Sequence, residues 1–174
     1  MKEILWHGRG GQGAFTASRI LGSAFVFDGD EQYALAFPSF GPERRGAPIR
    51  AFTKLDKKPI GDRSEVAKAD YMIFLDETLF SERALDELKE GGKIILNTKR
   101  TFSDERIIPI DGNRIAERTL KRPITNTIML AAFAVLSGEV SIPAVENAIR
   151  ENLPERQHEK NIEAVREVAK EVAG

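Results

Sequence analysis

The chain has 174 residues, 41% of them hydrophobic, with 26 basic and 27 acidic side chains, enough for one domain with its own core and without a net field for nucleic acid or anionic lipid. It contains no cysteine, which excludes a disulfide scaffold, a thiolate nucleophile and any cysteine-ligated iron–sulfur cluster within the chain. The only histidines, His7 and His158, lie far apart, which argues against a histidine-built zinc site, and no apolar run resembles a signal peptide core or a bilayer span, so a cytoplasmic protein without membrane or nucleic-acid partners is expected.

Short strand-like runs alternate with helical patterns. That order predicts an α/β fold: a three-layer α/β/α Rossmann-like domain over residues 1–174, with a mostly parallel or mixed sheet and a helical C-terminal third. "EILWH" reads as the first strand. From Ala14 apolar residues recur at helical spacing (Ala17, Ile20, Leu21, Ala24, Phe25), predicting a helix to about Phe27. "YALAF" and "PIRAFTKL" read as the next two strands. "YMIFL" and "KIILN" are continuous apolar runs typical of central strands covered on both faces. Between them, "TLFSERALDELKEGG" predicts a helix with Leu79, Phe80, Leu85 and Leu88 as its stripe and Gly91 as its stop. "ERIIPI" is a short strand that Pro109 assigns to an edge. "IMLAAFAVLSG" predicts a buried helix from Thr125 or Asn126 to Gly138. "PAVENAIRENL", with proline in its first turn, and "NIEAVREVAKEV" predict the last two helices. The stripe of Ile162, Val165, Val168 and Val172 in the latter is read as packing on its own domain, with a partner docking face as the alternative.

The first strand runs into "HGRGGQG", where Gly8, Gly10 and Gly13 satisfy G-x-G-x-x-G between a strand and a helix. Glycines there permit positive φ and let backbone amides approach an anion. The acid that should close the second strand and bind ribose is missing: Asp28, Asp30 and Glu31 precede "YALAF", which ends in Phe37 and Pro38. An NAD site is therefore disfavoured. Three readings stay open: a ligand or cofactor near the loop, close packing of helix on sheet, or contact of Arg9 and Gln12 with a partner chain.

"FPSFGPERRGAPIRAFT" is the second motif. Two prolines and a glycine stiffen its first half, which presents Glu43, Arg44 and Arg45 before Gly46. Paired guanidiniums suit a carboxylate, phosphate or pyrophosphate through bidentate bonds; an internal Glu–Arg pair or an interface rim is the bland alternative. His7 is expected to hydrogen-bond backbone at its strand end, Asp76 and Glu77 to cap the following helix or remain solvated, Trp6 and Phe15 to lie in the core, and "ERQHEK" to begin a solvated helix.

"HGRGGQG" followed about thirty residues later by "FPSFGPERRGAP" resembles the gamma subunit of the 2-oxoacid:ferredoxin oxidoreductases, in the form of the pyruvate branch. The resemblance continues through "KPIGDRS", "DYMIFLDETL", "GGKIILNT" and "TNTIMLAAFA". The 2-oxoglutarate branch commonly has a tyrosine before the glycine of the second loop and "RGG" after the glutamate, whereas the 2-oxoisovalerate branch is close. The resemblance implies a subunit inactive alone, in a complex of alpha, beta, gamma and delta chains that oxidatively decarboxylates a 2-oxoacid, forms acyl-CoA and reduces ferredoxin. It places thiamine diphosphate, magnesium and [4Fe-4S] clusters in the partner subunits, and coenzyme A beside this one in a shared site. The cofactor-side role then falls on Gly8, Arg9, Gly10, Gly11, Gln12 and Gly13, on Ser39, Glu43, Arg44 and Arg45, and on Asn126, with no catalytic residue or metal ligand on this chain. A stand-alone Rossmann-like nucleotide-binding oxidoreductase and a purely structural adaptor remain as alternatives.

Overall fold

The computed structural model describes every residue except Phe40 and Glu43. The strands are β1 (Lys2–Arg9), β2 (Tyr33–Pro38), β3 (Pro48–Asp56), β4 (Ala69–Phe74), β5 (Leu88–Asn97) and β6 (Ile107–Ile110). They form one sheet in the order β2-β3-β1-β4-β5-β6. β1, β4, β5 and β6 run parallel, while β3 is antiparallel to both β1 and β2. The sheet is thus mixed, and the ends of β1, β2, β4 and β5 share one edge. β6 is an edge strand, where Pro109 does not interrupt a central ladder.

The α-helices are α1 (Ala14–Phe27), α2 (Gly112–Thr119), α3 (Asn126–Ser137), α4 (Ile142–Asn152) and α5 (His158–Ala173). All five contribute to one apolar cluster with Ile4, Trp6, Ala51, Ile73 and Ile95 of the sheet, so they cover a single face. The other face buries Leu5, Phe52, Met72, Phe74, Ile94 and Leu96 beneath Leu79, Phe80, Ala84, Leu85 and Phe102. Alternation along each strand supplies the two faces: on β3, Ala51 and Leu55 point to the helices and Phe52 to the opposite side. α3 is apolar almost all round because it is sandwiched; its residues 126–134 are all buried. Gly138 ends it at φ 69°, a left-handed cap that favours glycine.

The helix expected around 79–88 does not form. The segment makes two 3-10 turns, Glu77–Leu79 and Glu82–Glu87, with Phe80 and Ser81 extended between them. The kink inserts Phe80 edge-on between Phe74 and Phe102, at centroid distances of 5.5 and 5.8 Å. A continuous helix would align its apolar residues in one stripe, whereas this shallow groove takes them from two directions. Gly91 is likewise no helix stop: it lies inside β5 at φ 78°, where the register jumps from Ala69↔Leu88 to Tyr71↔Lys93 and the strand bulges. The third layer of the expected sandwich is therefore built from 3-10 turns and extended chain.

Trp6 is fully buried, and its Nε1 donates to Thr53 Oγ1 (3.0 Å), which donates to Ser18 O (3.0 Å). That relay ties β1, β3 and α1 together and satisfies the indole. Phe15 is partly buried against the same core. On the opposite face the fully buried Lys54 meets Asp62 Oδ2 at 3.2 Å and Glu3 Oε1 at 3.7 Å. Glu3 in turn holds Lys89, which also binds Asp70. A buried ammonium requires such partners.

Candidate functional site

The two sequence motifs meet at the carboxyl edge of the sheet. Gly10 and Arg45 form a parallel bridge: Gly10 N donates to Ala47 O (2.8 Å) and Gly46 N to Gly10 O (3.0 Å). A Cβ on Gly10 would stand 2.1 Å from Arg44 O and 2.7 Å from Arg44 C. What comes close to this glycine is therefore the backbone of the arginine loop. Gly13, at φ 84°, begins α1, and a Cβ there would meet Asn126 Nδ2 at 2.5 Å. Asn126 Nδ2 donates to Gly13 O (3.3 Å), binding the start of α3 to the start of α1. Gly8 faces Ala14, Gln12 and Leu75. Close packing of protein on protein thus accounts for Gly8, Gly10 and Gly13.

Arg9 and Gln12 are held internally. The Arg9 guanidinium donates to Gly46 O (3.0 Å) and Thr78 Oγ1 (2.9 Å), and its Nε lies 3.3 Å from Asp76 Oδ2. Gln12 Oε1 accepts from Arg9 N (2.7 Å) while its Nε2 donates to Asp76 Oδ2 (3.0 Å). Asp76 also caps the first 3-10 turn by accepting from Thr78 N and Oγ1. Burial alone would raise the Asp76 pKa, but hydrogen bonds from Thr78 and Gln12, with the charge of Arg9, outweigh it and hold the carboxyl below its ordinary value. Asp76 is therefore an anionic clasp between the ends of β1 and β4, a tie that its place behind a strand did not disclose. Glu77 accepts from Thr98 Oγ1 and lies 3.6 Å from Arg100.

Arg44 and Arg45 are exposed, and neither has an ion-pair partner among the described residues. The Arg45 side chain lies over Gly11, with Cγ 3.7 Å from the place of a Gly11 Cβ. Ser39 is half-buried and extends the β2–β3 ladder through its N–H to Arg50 O (2.9 Å). Glu43, expected in the same loop, lies outside the described residues. The structure brings the glycine loop, Arg44, Arg45 and Asn126 into one neighbourhood, with Ser39 at the root of the loop.

His7 departs from expectation. Its ring stacks on Phe74 (centroids 4.3 Å, 9° between planes), and the buried Nε2 has no hydrogen-bond partner among the described residues. Burial, and secondarily the charge of Arg50, lowers its pKa to about 4, so the ring is neutral at pH 7. Of the acids weighed for ribose binding, Asp28 is already engaged: its carboxylate accepts from Ser141 N (2.8 Å) and Ser141 Oγ (2.7 Å). Asn97, which the sequence did not single out, links three segments by donating to Leu75 O and Asn113 Oδ1 and accepting from Gly112 N. No helix among the described residues is long and apolar enough to cross a membrane.

The sequence model of the family described as pyruvate ferredoxin/flavodoxin oxidoreductase matches residues 3–171. The chain is 48% identical over 169 residues to pyruvate synthase subunit PorC of Methanothermobacter marburgensis, covering 95% of this chain and 94% of that protein. It is 41% identical over 177 residues to the pyruvate/ketoisovalerate oxidoreductases common subunit gamma of Pyrococcus abyssi, covering 96% and 95%. The crystal structure of pyruvate oxidoreductase subunit PORC from Thermotoga maritima superposes with a TM-score of 0.81 at 34% identity, over 97% of this chain and 95% of that one. The overall fold is thus shared with that structure, and the chain belongs to the pyruvate ferredoxin/flavodoxin oxidoreductase family.

Proposed function

We propose that the chain is the gamma subunit of a 2-oxoacid:ferredoxin oxidoreductase acting on pyruvate, and that its arginine loop forms the coenzyme A side of an active site completed by partner chains. The carrying observation is that Gly10 seats the loop on the sheet edge and that Arg44 and Arg45 are exposed, with no ion-pair partner among the described residues. Guanidiniums carried on an anchored loop at the carboxyl ends of strands suit a pyrophosphate or phosphate. The ligand would meet arginine side chains rather than a bare glycine cradle, because protein fills the space at Gly10 and Gly13. Coenzyme A supplies the thiol that accepts the acyl group; this chain binds and orients it.

The sequence has no cysteine to ligate a cluster, which agrees with [4Fe-4S] clusters on partner chains. The family resemblance supports assigning thiamine diphosphate and magnesium to alpha and beta partners, clusters to a delta partner and the acceptor role to ferredoxin. A relative described as common to pyruvate and ketoisovalerate enzymes supports placing the choice of 2-oxoacid on other chains. In the assembled enzyme, Arg44→Glu or Arg45→Glu should raise the apparent KM for coenzyme A by about tenfold, one lost charge-assisted contact, with the KM for pyruvate unchanged. An intact complex with unaltered coenzyme A dependence overturns the ligand role. Failure to assemble makes the loop an interface element.

A further inference from the structure

A second feature lies on the helical layer, behind the glycine loop. A cleft of about 630 Å³ runs between the first half of α1, the start of α3 and the α4–α5 connection. Its lining includes Arg19, Arg122, Arg156 and Lys160 and no acidic residue. All four cations are exposed, and none has an ion-pair partner among the described residues. Elsewhere Arg9, Arg50, Arg106, Arg114, Arg118 and Arg166 each pair with a carboxylate. On a chain of net charge −1, gathering uncompensated cations in one concave site creates a local field that an anion relieves.

The cleft is not uniformly polar. Ile124, 42% exposed, and Leu153 add apolar wall beside the cations. Asn126, at the start of the buried helix α3, lines it as well. The volume falls within the roughly 300–1,000 Å³ typical of small-molecule sites. Phosphates would meet the arginines and the lysine, and a planar base would lie on the apolar wall or stack on a guanidinium. We infer that this cleft binds a phosphorylated nucleotide. The inference goes beyond the coenzyme A reading of the arginine loop, since its four cations lie in the helical layer and none belongs to that loop, although Asn126 borders both.

Amide NMR of the full chain at low salt tests it, with ADP, coenzyme A and inorganic pyrophosphate as probes. Expected are ligand-dependent shifts around Arg19, Arg122–Asn126 and Arg156–Lys160, weakened by added salt and displaced by pyrophosphate. Arg156→Glu with Lys160→Glu should weaken ADP binding by about tenfold or more while leaving Tm unchanged. Equal affinity for ADP and coenzyme A supports a general nucleotide site. A clear preference for coenzyme A over ADP overturns it as a separate nucleotide site and makes the cleft part of the coenzyme A site. Absence of shifts at millimolar ligand, or binding unaffected by the charge reversals, overturns the inference. So does loss of a partner chain from the complex on charge reversal with no nucleotide binding, which would make the cleft a dock for acidic protein. None of these variants touches Arg44 or Arg45, so the two proposals fail separately.

Discussion

Gly10 and His7 show how much one residue's surroundings decide. Placing Gly10 against Arg44 C and O leaves no room for a methyl group, and the obstacle is backbone rather than a movable side chain. Gly10→Ala should therefore cost about 3 kcal/mol and lower Tm by about 10 °C, read by thermal denaturation; an unchanged melt would show that the loop gives way freely. His7 adds a pH dependence. Its pKa is lowered from 6.5 to about 4, so between those values the unfolded chain binds a proton that the folded chain refuses. Stability from this source is complete above pH 6.5 and is lost as pH falls toward 4, by up to about 3 kcal/mol. His7→Phe should flatten the stability profile over that window relative to the parent. Parallel profiles in denaturant titrations would contradict this.

At the scale of elements, α1 and α4 are joined through Ser141, whose Oγ accepts from Ala144 N (3.2 Å) as the α4 cap and donates to Asp28 beyond the end of α1. Ser141→Ala removes both bonds and should cost about 1–2 kcal/mol, seen as a Tm fall of roughly 2–8 °C. A melt indistinguishable from the parent would mean that solvent replaces the cap. α1, α3, α4, α5 and the central strands were legible because local pattern and tertiary packing agree: "YMIFL" and "KIILN" lie in covered strands, and Pro143 sits where a first turn accepts it. The 79–88 segment departs from the helical reading because the apolar spacing of Leu79, Phe80, Leu85 and Leu88 is also met by two 3-10 turns, an extended Phe80 between them and the start of β5 at Leu88. α2 gave little signal, since its eight residues begin with glycine and bury only Gly112, Ile115 and Ala116.

Across the whole molecule, the sequence displayed the two loop motifs and their order, and open α/β sheets gather such loops at the carboxyl ends of strands, but the individual bonds were not legible. Nothing in "HGRGGQG" says that Arg9 is bound by Asp76 and Thr78 from the end of another strand, or that Gly13 opens toward Asn126. Those are long-range consequences of the sheet order. The basic cleft was equally hidden, because its cations come from positions as distant as Arg19 and Lys160. Among the described residues, the guanidiniums of the arginine loop and of the basic cleft have no carboxylate partner. Such a distribution suits a subunit that helps bind a phosphorylated cofactor and leaves the redox chemistry to its partners.

The most direct measurement is isolation of the tagged chain from its native host without oxygen, followed by assay of the eluate for viologen reduction with pyruvate and coenzyme A supplied together or singly. Expected are co-purified thiamine- and cluster-containing chains and activity that requires both substrates. Recovery of the chain alone under conditions that preserve complexes, or of a complex whose activity ignores coenzyme A, would contradict the proposed role on the coenzyme A side of the complex.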